Sequence, residues 1–122
     1  MAEDKKTIGL TDANKVIMDH VVEKTGFKLD MDAAKFAFAL AVSRKIEPGS
    51  LEGAGTIWGA GNFDDTGEIK ALIQNLYPGN ETPYRALESL MNSGFSLLDA
   101  ELKATPALRI QDLLKQEAAS VQ

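Results

Sequence analysis

Residues 5–45 read KKTIGLTDANKVIMDHVVEKTGFKLDMDAAKFAFALAVSRK, and a change of hydrophobic period inside this stretch decides the fold. In Lys5–Leu10, Ile8 and Leu10 fall on one side of an extended segment and Thr7 and Gly9 on the other, the period of two that marks a short half-buried strand. From Asp12 the period becomes helical, with Ala13, Val16, Ile17, His20 and Val21 as the inward stripe. Thr11 or Asp12 caps this helix and Gly26 supplies a left-handed stop, so a helix is predicted from Asp12 to Thr25. After the turn Phe27-Lys28-Leu29, Asp30 or Asp32 caps a second helix, Ala33 to Lys45, whose run from Phe36 to Val42 is apolar nearly all round. Such a helix is buried on most sides, and its alanines permit close backbone approach, to a bundle neighbour or to a symmetry mate.

Beyond Pro48-Gly49 the chain changes character: Gly49, Gly53, Gly55, Gly59, Gly61 and Gly67 are six of its ten glycines. A loop of this length is usually functional or mobile. Trp58 and Phe63 are expected to fold it back onto the core, and Thr56-Trp58 is a candidate short strand. Asp65 with Glu68 resembles a capping box for an amphipathic helix carrying Ile69, Leu72, Ile73, Leu76 and Tyr77, stopped by Pro78-Gly79. Thr82-Pro83 starts another helix, with Tyr84, Leu87, Leu90 and Met91 inward and Gly94 at its end. Phe95 to Leu102 and Pro106 to Ala119 read as two further helical stretches.

The resulting expectation is a mainly α fold: a short N-terminal strand, then a compact bundle of four to five helices. One domain spans residues 1–122, divided into a strand–helix–helix unit (5–45), a glycine-rich loop (46–66), a helical part (67–103) and a C-terminal helix or tail (104–122). With 44% hydrophobic and 25% charged residues the composition is that of an ordinary globular protein, neither disordered nor membrane-spanning. The opening MAEDKKTIGL lacks the apolar stretch of a signal peptide, and zero cysteines suit a reducing compartment, so a cytoplasmic location is expected.

Cysteine chemistry is excluded outright, and the single histidine, His20, leaves neither a His-x-x-x-His metal spacing nor a Gly-x-Ser-x-Gly elbow to serve. The carboxylate pairs Asp30/Asp32 and Asp64/Asp65 sit where helices begin, which capping and the helix dipole explain. Gly53-Ala54-Gly55 and Gly59-Ala60-Gly61 lack the Gly-Lys-Ser/Thr continuation of a phosphate loop. No cofactor, no metal and no catalysis are expected; the chain should act by binding. Its net charge of -5 disfavours a generic nucleic-acid binder. Residues 1–50 nevertheless hold eight basic and eight acidic side chains, against five and ten in 51–122, so only the first part could face DNA.

The order strand, helix, tight turn, helix over residues 5–45 resembles the ribbon-helix-helix family, in which strands from two chains pair and enter the major groove. That resemblance implies a homo-oligomer with Lys5, Lys6 and Thr7 at the DNA, joined by Lys28 and Lys35. Lys24–Asp30 leading into Ala33–Ala41 is similar, more loosely, to DndE-like small proteins of DNA sulfur modification and phage defence, which implies a bacterial accessory subunit docking a larger ATPase or nuclease. The alternative is a protein-interaction adaptor without DNA contact, using Trp58, Leu108 and Leu113; a small-ligand enzyme near Trp58 ranks last.

Overall fold

Strand and first helix form where the two periods place them, β1 over Thr7–Leu10 and α1 over Asp12–Thr25. This is a computed structural model, and it describes residues 3–49, 51 and 53–104. The Thr11 hydroxyl accepts from the Asn14 N–H at 3.2 Å and satisfies one of the free donors of the first turn, while Gly26 ends α1 at φ 78°. The second helix, α2, spans Asp30–Ser43, three residues earlier at its start than the spacing predicts. Asp30 and Asp32 are therefore inside its first turn, against the positive end of the helix dipole, and no side chain caps Leu29.

The glycine-rich stretch carries two elements. β2 (Gly55–Gly59) pairs antiparallel with β1, Ile8 opposite Trp58 and Gly9 opposite Thr56, with Ile57 as the extra residue of a bulge between them. Gly9 is required at that point, because a Cβ there would overlap the carbonyl oxygen of Gly55. A single helical turn, α3 (Ala60–Phe63), follows directly. Trp58 and Phe63 meet at 5.2 Å between ring centroids, so the aromatic pair does fold this segment back, with Phe63 fully buried.

Helix α4 spans Glu68–Leu76 and α5 spans Pro83–Ala104. Two expectations are corrected here. The carboxylate that caps α4 is Asp64, not Asp65: its two oxygens accept from Ile69 N–H at 2.9 Å and Lys70 N–H at 3.0 Å, because Gly67 at φ 77° turns the chain back over it. Gly94 does not end a helix; α5 runs through it for 22 residues and absorbs Phe95 to Leu102. A Cβ on Gly94 would overlap the carbonyl of Ala37, so the glycine is the notch that lets α5 lie against the alanines of α2. The close approach foreseen for α2 is thus made within the chain.

Around that contact lies the core: Ile8 and Leu10 from β1, Met18 and Val21 from α1, Ala37 and Phe38 from α2, Ile73 from α4, and Leu87, Leu90, Met91, Phe95 and Leu98 from α5. Each large side chain among them contributes about 1.5–3 kcal/mol by leaving water. The stripe expected on α1 is rotated: Asn14, Met18 and Val21 are buried, whereas Ala13, Val16 and His20 face solvent. Among the described residues no helix is long and apolar enough to cross a membrane. The predicted helix Pro106 to Ala119 lies outside the described residues.

Candidate functional site

The sequence nominated five residues for one basic face, and the structure gives them separate roles. Lys5 is turned onto α5, its ammonium 2.5 Å from a carboxylate oxygen of Glu88, whose side chain is only 4% exposed. That same oxygen accepts the Gly9 N–H at 2.9 Å. Next to it, the Asn92 amide donates to the Gly9 carbonyl at 3.1 Å and to the Glu88 carbonyl at 2.7 Å, while its oxygen accepts from Thr11 N–H and from the Asn14 amide. Glu88 and Asn92 therefore close the edge of β1 that β2 does not occupy. A buried carboxylate is tolerated here because a charge partner and a backbone donor both face it. Asp4 completes the attachment by accepting from the Tyr84 and Arg85 N–H groups at the start of α5.

Of the others, Lys6 and Lys28 are exposed, and Thr7 is half-buried with its hydroxyl 3.3 Å from that of Thr56. Lys35 is half-buried on α2 with its ammonium 5.6 Å from the centroid of Phe63, within cation–π range. Trp58, nominated for partner contact, is half-buried against Phe63; Leu108 and Leu113 lie outside the described residues. Among the described residues no group of three or more His, Asp or Glu side chains is arranged to hold a metal ion. Tyr84 is held above the usual phenol range by burial first, then by donating to Asp64 at 3.0 Å and by the charges of Asp64 and Asp4. Tyr77 is raised by burial and by Glu47. Both phenols point to positioning, since each hydroxyl is spent on a structural acceptor, Tyr77 on the Ile46 carbonyl at 3.1 Å.

What the sequence reading missed is on α4. Ile73 is buried beneath it, yet Leu72 and Leu76 on the same amphipathic stripe remain 43% and 44% exposed. At 100° per residue Leu72 and Leu76 are neighbours, and Glu68 sits one turn before Leu72 on the same side, with Lys70 on the opposite side. Leu76 opens onto a shallow groove of about 440 Å³ lined by Glu47, Pro48, Tyr77, Pro78, Gly79 and Asn80. The outcome is a small apolar surface with carboxylates beside it. Its signal was present in the sequence as an amphipathic stripe, but periodicity states which residues are apolar and not how much of the stripe the rest of the chain covers.

Val16 and Leu29 are also exposed, at 69% and 61%, as single side chains on α1 and on the turn before α2. Neither lines the groove beside Leu76. Compared with protein-family models, with curated proteins and with solved structures, the chain matches none.

Proposed function

We propose that this chain is a non-catalytic adaptor that binds another protein through α4, receiving an apolar segment flanked by basic residues. The observation that carries the reading is the partly uncovered stripe Leu72 and Leu76 beside the Pro48–Tyr77–Pro78 groove, with Glu47 and Glu68 at its border. An apolar centre takes up the contact area and the carboxylates select the sign of the partner's charge. A chain of net charge -5 is suited to such a partner. A larger ATPase or nuclease of a bacterial DNA-handling or defence system, the partner that the DndE-like resemblance implies, falls within this reading, as does a cytoplasmic setting.

Direct DNA contact draws on the ribbon-helix-helix resemblance. It receives less support from the geometry, because Lys5 is engaged by Glu88 and β1 is paired with β2 of its own chain. Two measurements separate the readings. Affinity capture from the native host, with cross-linking to map the contact, is expected to recover a partner attached at α4 and to lose it with the double variant L72D/L76D. Fluorescence anisotropy with a short DNA duplex should show no salt-dependent binding; tight binding at low salt, abolished by Lys6→Glu, would overturn the adaptor reading in favour of DNA.

A further inference from the structure

Glu88 spends only one of its two carboxylate oxygens. The Lys5 ammonium and the Gly9 N–H both meet Oε2, and among the described residues no donor meets Oε1. Glu88 is nearly fully buried, yet among the described residues every fully buried side-chain oxygen or nitrogen has a partner, so Oε1 is still within reach of water. Glu88 lines a cavity of about 210 Å³ together with Pro48, Leu51, Asn80, Thr82 and Arg85. A carboxylate has about four acceptor positions and buried ones are normally filled, so the open half of Glu88 is set for a donor from outside the chain.

The same cavity carries a group of opposite sign. Arg85 uses Nε on the Glu3 carbonyl at 3.2 Å, and among the described residues nothing accepts from its two terminal nitrogens. A guanidinium presents that pair as the fork that grips a carboxylate. Neighbouring charges are already answered: Glu88 is paired with Lys5, and Asp4 accepts from the N–H groups of Lys5, Tyr84 and Arg85. Asn80 accepts the Thr82 N–H with its oxygen at 2.8 Å, which leaves its NH₂ end to donate.

We propose that this cavity binds a small carboxylic acid that also carries a hydroxyl or ammonium group, the carboxylate on Arg85 and the hydroxyl or ammonium on Oε1 of Glu88. Size sets the class. The cavity is smaller than the ~300–1,000 Å³ of pockets for drug-sized ligands, so it takes a short hydroxy acid or amino acid and not a nucleotide or a folded-in peptide. Pro48 and Asn80 also border the groove beside Leu76, but no residue of α4 lines this cavity, and the site stands independently of the adaptor reading.

Nitrogen–proton correlation spectra of the isotope-labelled full chain, titrated to about 10 mM with L-serine, L-lactate, acetate or ethanolamine, test it, since so few contacts give millimolar affinity. Serine or lactate should shift the Gly49, Arg85 and Glu88 amide signals saturably, and the tighter of the two shows which donor Glu88 takes. Acetate lacks the donor and ethanolamine lacks the carboxylate, so each should bind at least roughly tenfold more weakly, the loss that follows from one charge-assisted hydrogen bond. Arg85→Ala, at an exposed position, should weaken serine or lactate by a similar factor while the rest of the spectrum matches wild type. The Glu88 contact is probed through the ligand because that side chain also holds Lys5 and Gly9, and the ligand comparison decides even where a variant fails to fold. No saturable shift with serine or lactate, equal binding of acetate, or binding untouched by Arg85→Ala in a folded variant would overturn the site.

Discussion

Asn92 is 2% exposed and uses both ends of its amide: the donor end serves Gly9 and Glu88 carbonyls, and the acceptor end serves Thr11 and Asn14. Replacing it by leucine keeps the volume and strips the side-chain partners from the buried Gly9 carbonyl and the Thr11 N–H, leaving the Asn14 amide only the backbone carbonyl of residue 92. Unmade buried hydrogen bonds cost far more than made ones contribute, so Asn92→Leu is expected to lose about 3 kcal/mol in urea denaturation. Gly94 makes the complementary point about shape. A single methyl at that position must push the Ala37 carbonyl, which belongs to a helix backbone and cannot rotate aside. Gly94→Ala should cost about 2–3 kcal/mol, whereas Gly61→Ala, with nothing within 4 Å of the added carbon, should change stability by less than about 0.5 kcal/mol. A thermal melt of the two variants side by side gives the comparison.

At the level of elements, the junction of α4 and α5 depends on one carboxylate: Asp64 caps α4 and accepts the Tyr84 phenol of α5. Because the Tyr84 pKa is raised above 10.0 in the folded chain, the folded state holds that proton more tightly than the unfolded one. Its contribution is complete below pH 10.0 and is lost as the pH rises through the higher folded value. Tyr84→Phe should cost about 1 kcal/mol near neutrality, and the gap to wild type should close as denaturation is repeated at increasingly alkaline pH.

The elements themselves were largely legible from local chemistry. Thr11, Gly26, Pro78-Gly79 and Thr82-Pro83 mark helix ends that depend only on the residues beside them, and those ends stand in the structure. Gly94 was misread because its role is set by what approaches from elsewhere in the chain, whereas the pair Asp64/Asp65 was read correctly as helix-start carboxylates and only the choice of Asp65 over Asp64 as the cap was wrong. Gly94 has the same side chain whether it stops a helix or admits one, and only the position of Ala37 decides. The rotation of α1 has the same origin: burying Asn14 instead of Val16 makes sense only once Asn92 is opposite it.

Taken whole, the molecule separates what holds it together from what it offers outward. Glu88, Asn92 and Asn14 are polar side chains used inside, while Leu72 and Leu76 are apolar side chains left outside. The double variant L72D/L76D gives up the covered half of two leucines while leaving Ile73 in place, and should cost about 1–2 kcal/mol, measured by urea denaturation, while removing partner capture. A larger loss of stability would mean that the two leucines serve the core and not a surface. The candidate surface was invisible to sequence reading for the reason that makes it a surface: nothing in residues 68–76 says that the neighbouring elements stop short of covering them.

The clasp of the N-terminal segment on α5 also governs how the protein is made. Asp4, Lys5, Gly9 and Thr11 emerge well before the α5 groups that clasp them, Tyr84, Arg85, Glu88 and Asn92, which lie some eighty positions later. At a synthesis rate of about 5–20 residues per second, the ribosome needs roughly 4–16 s to deliver those partners. Through that interval the strand has a bare edge and helices α1 and α2 have no fifth helix to bury their faces. The nascent chain must therefore wait, exposed and unclosed, for α5, and the seconds before it arrives are the time in which a chaperone or a neighbouring nascent copy has access to surfaces that α5 then covers.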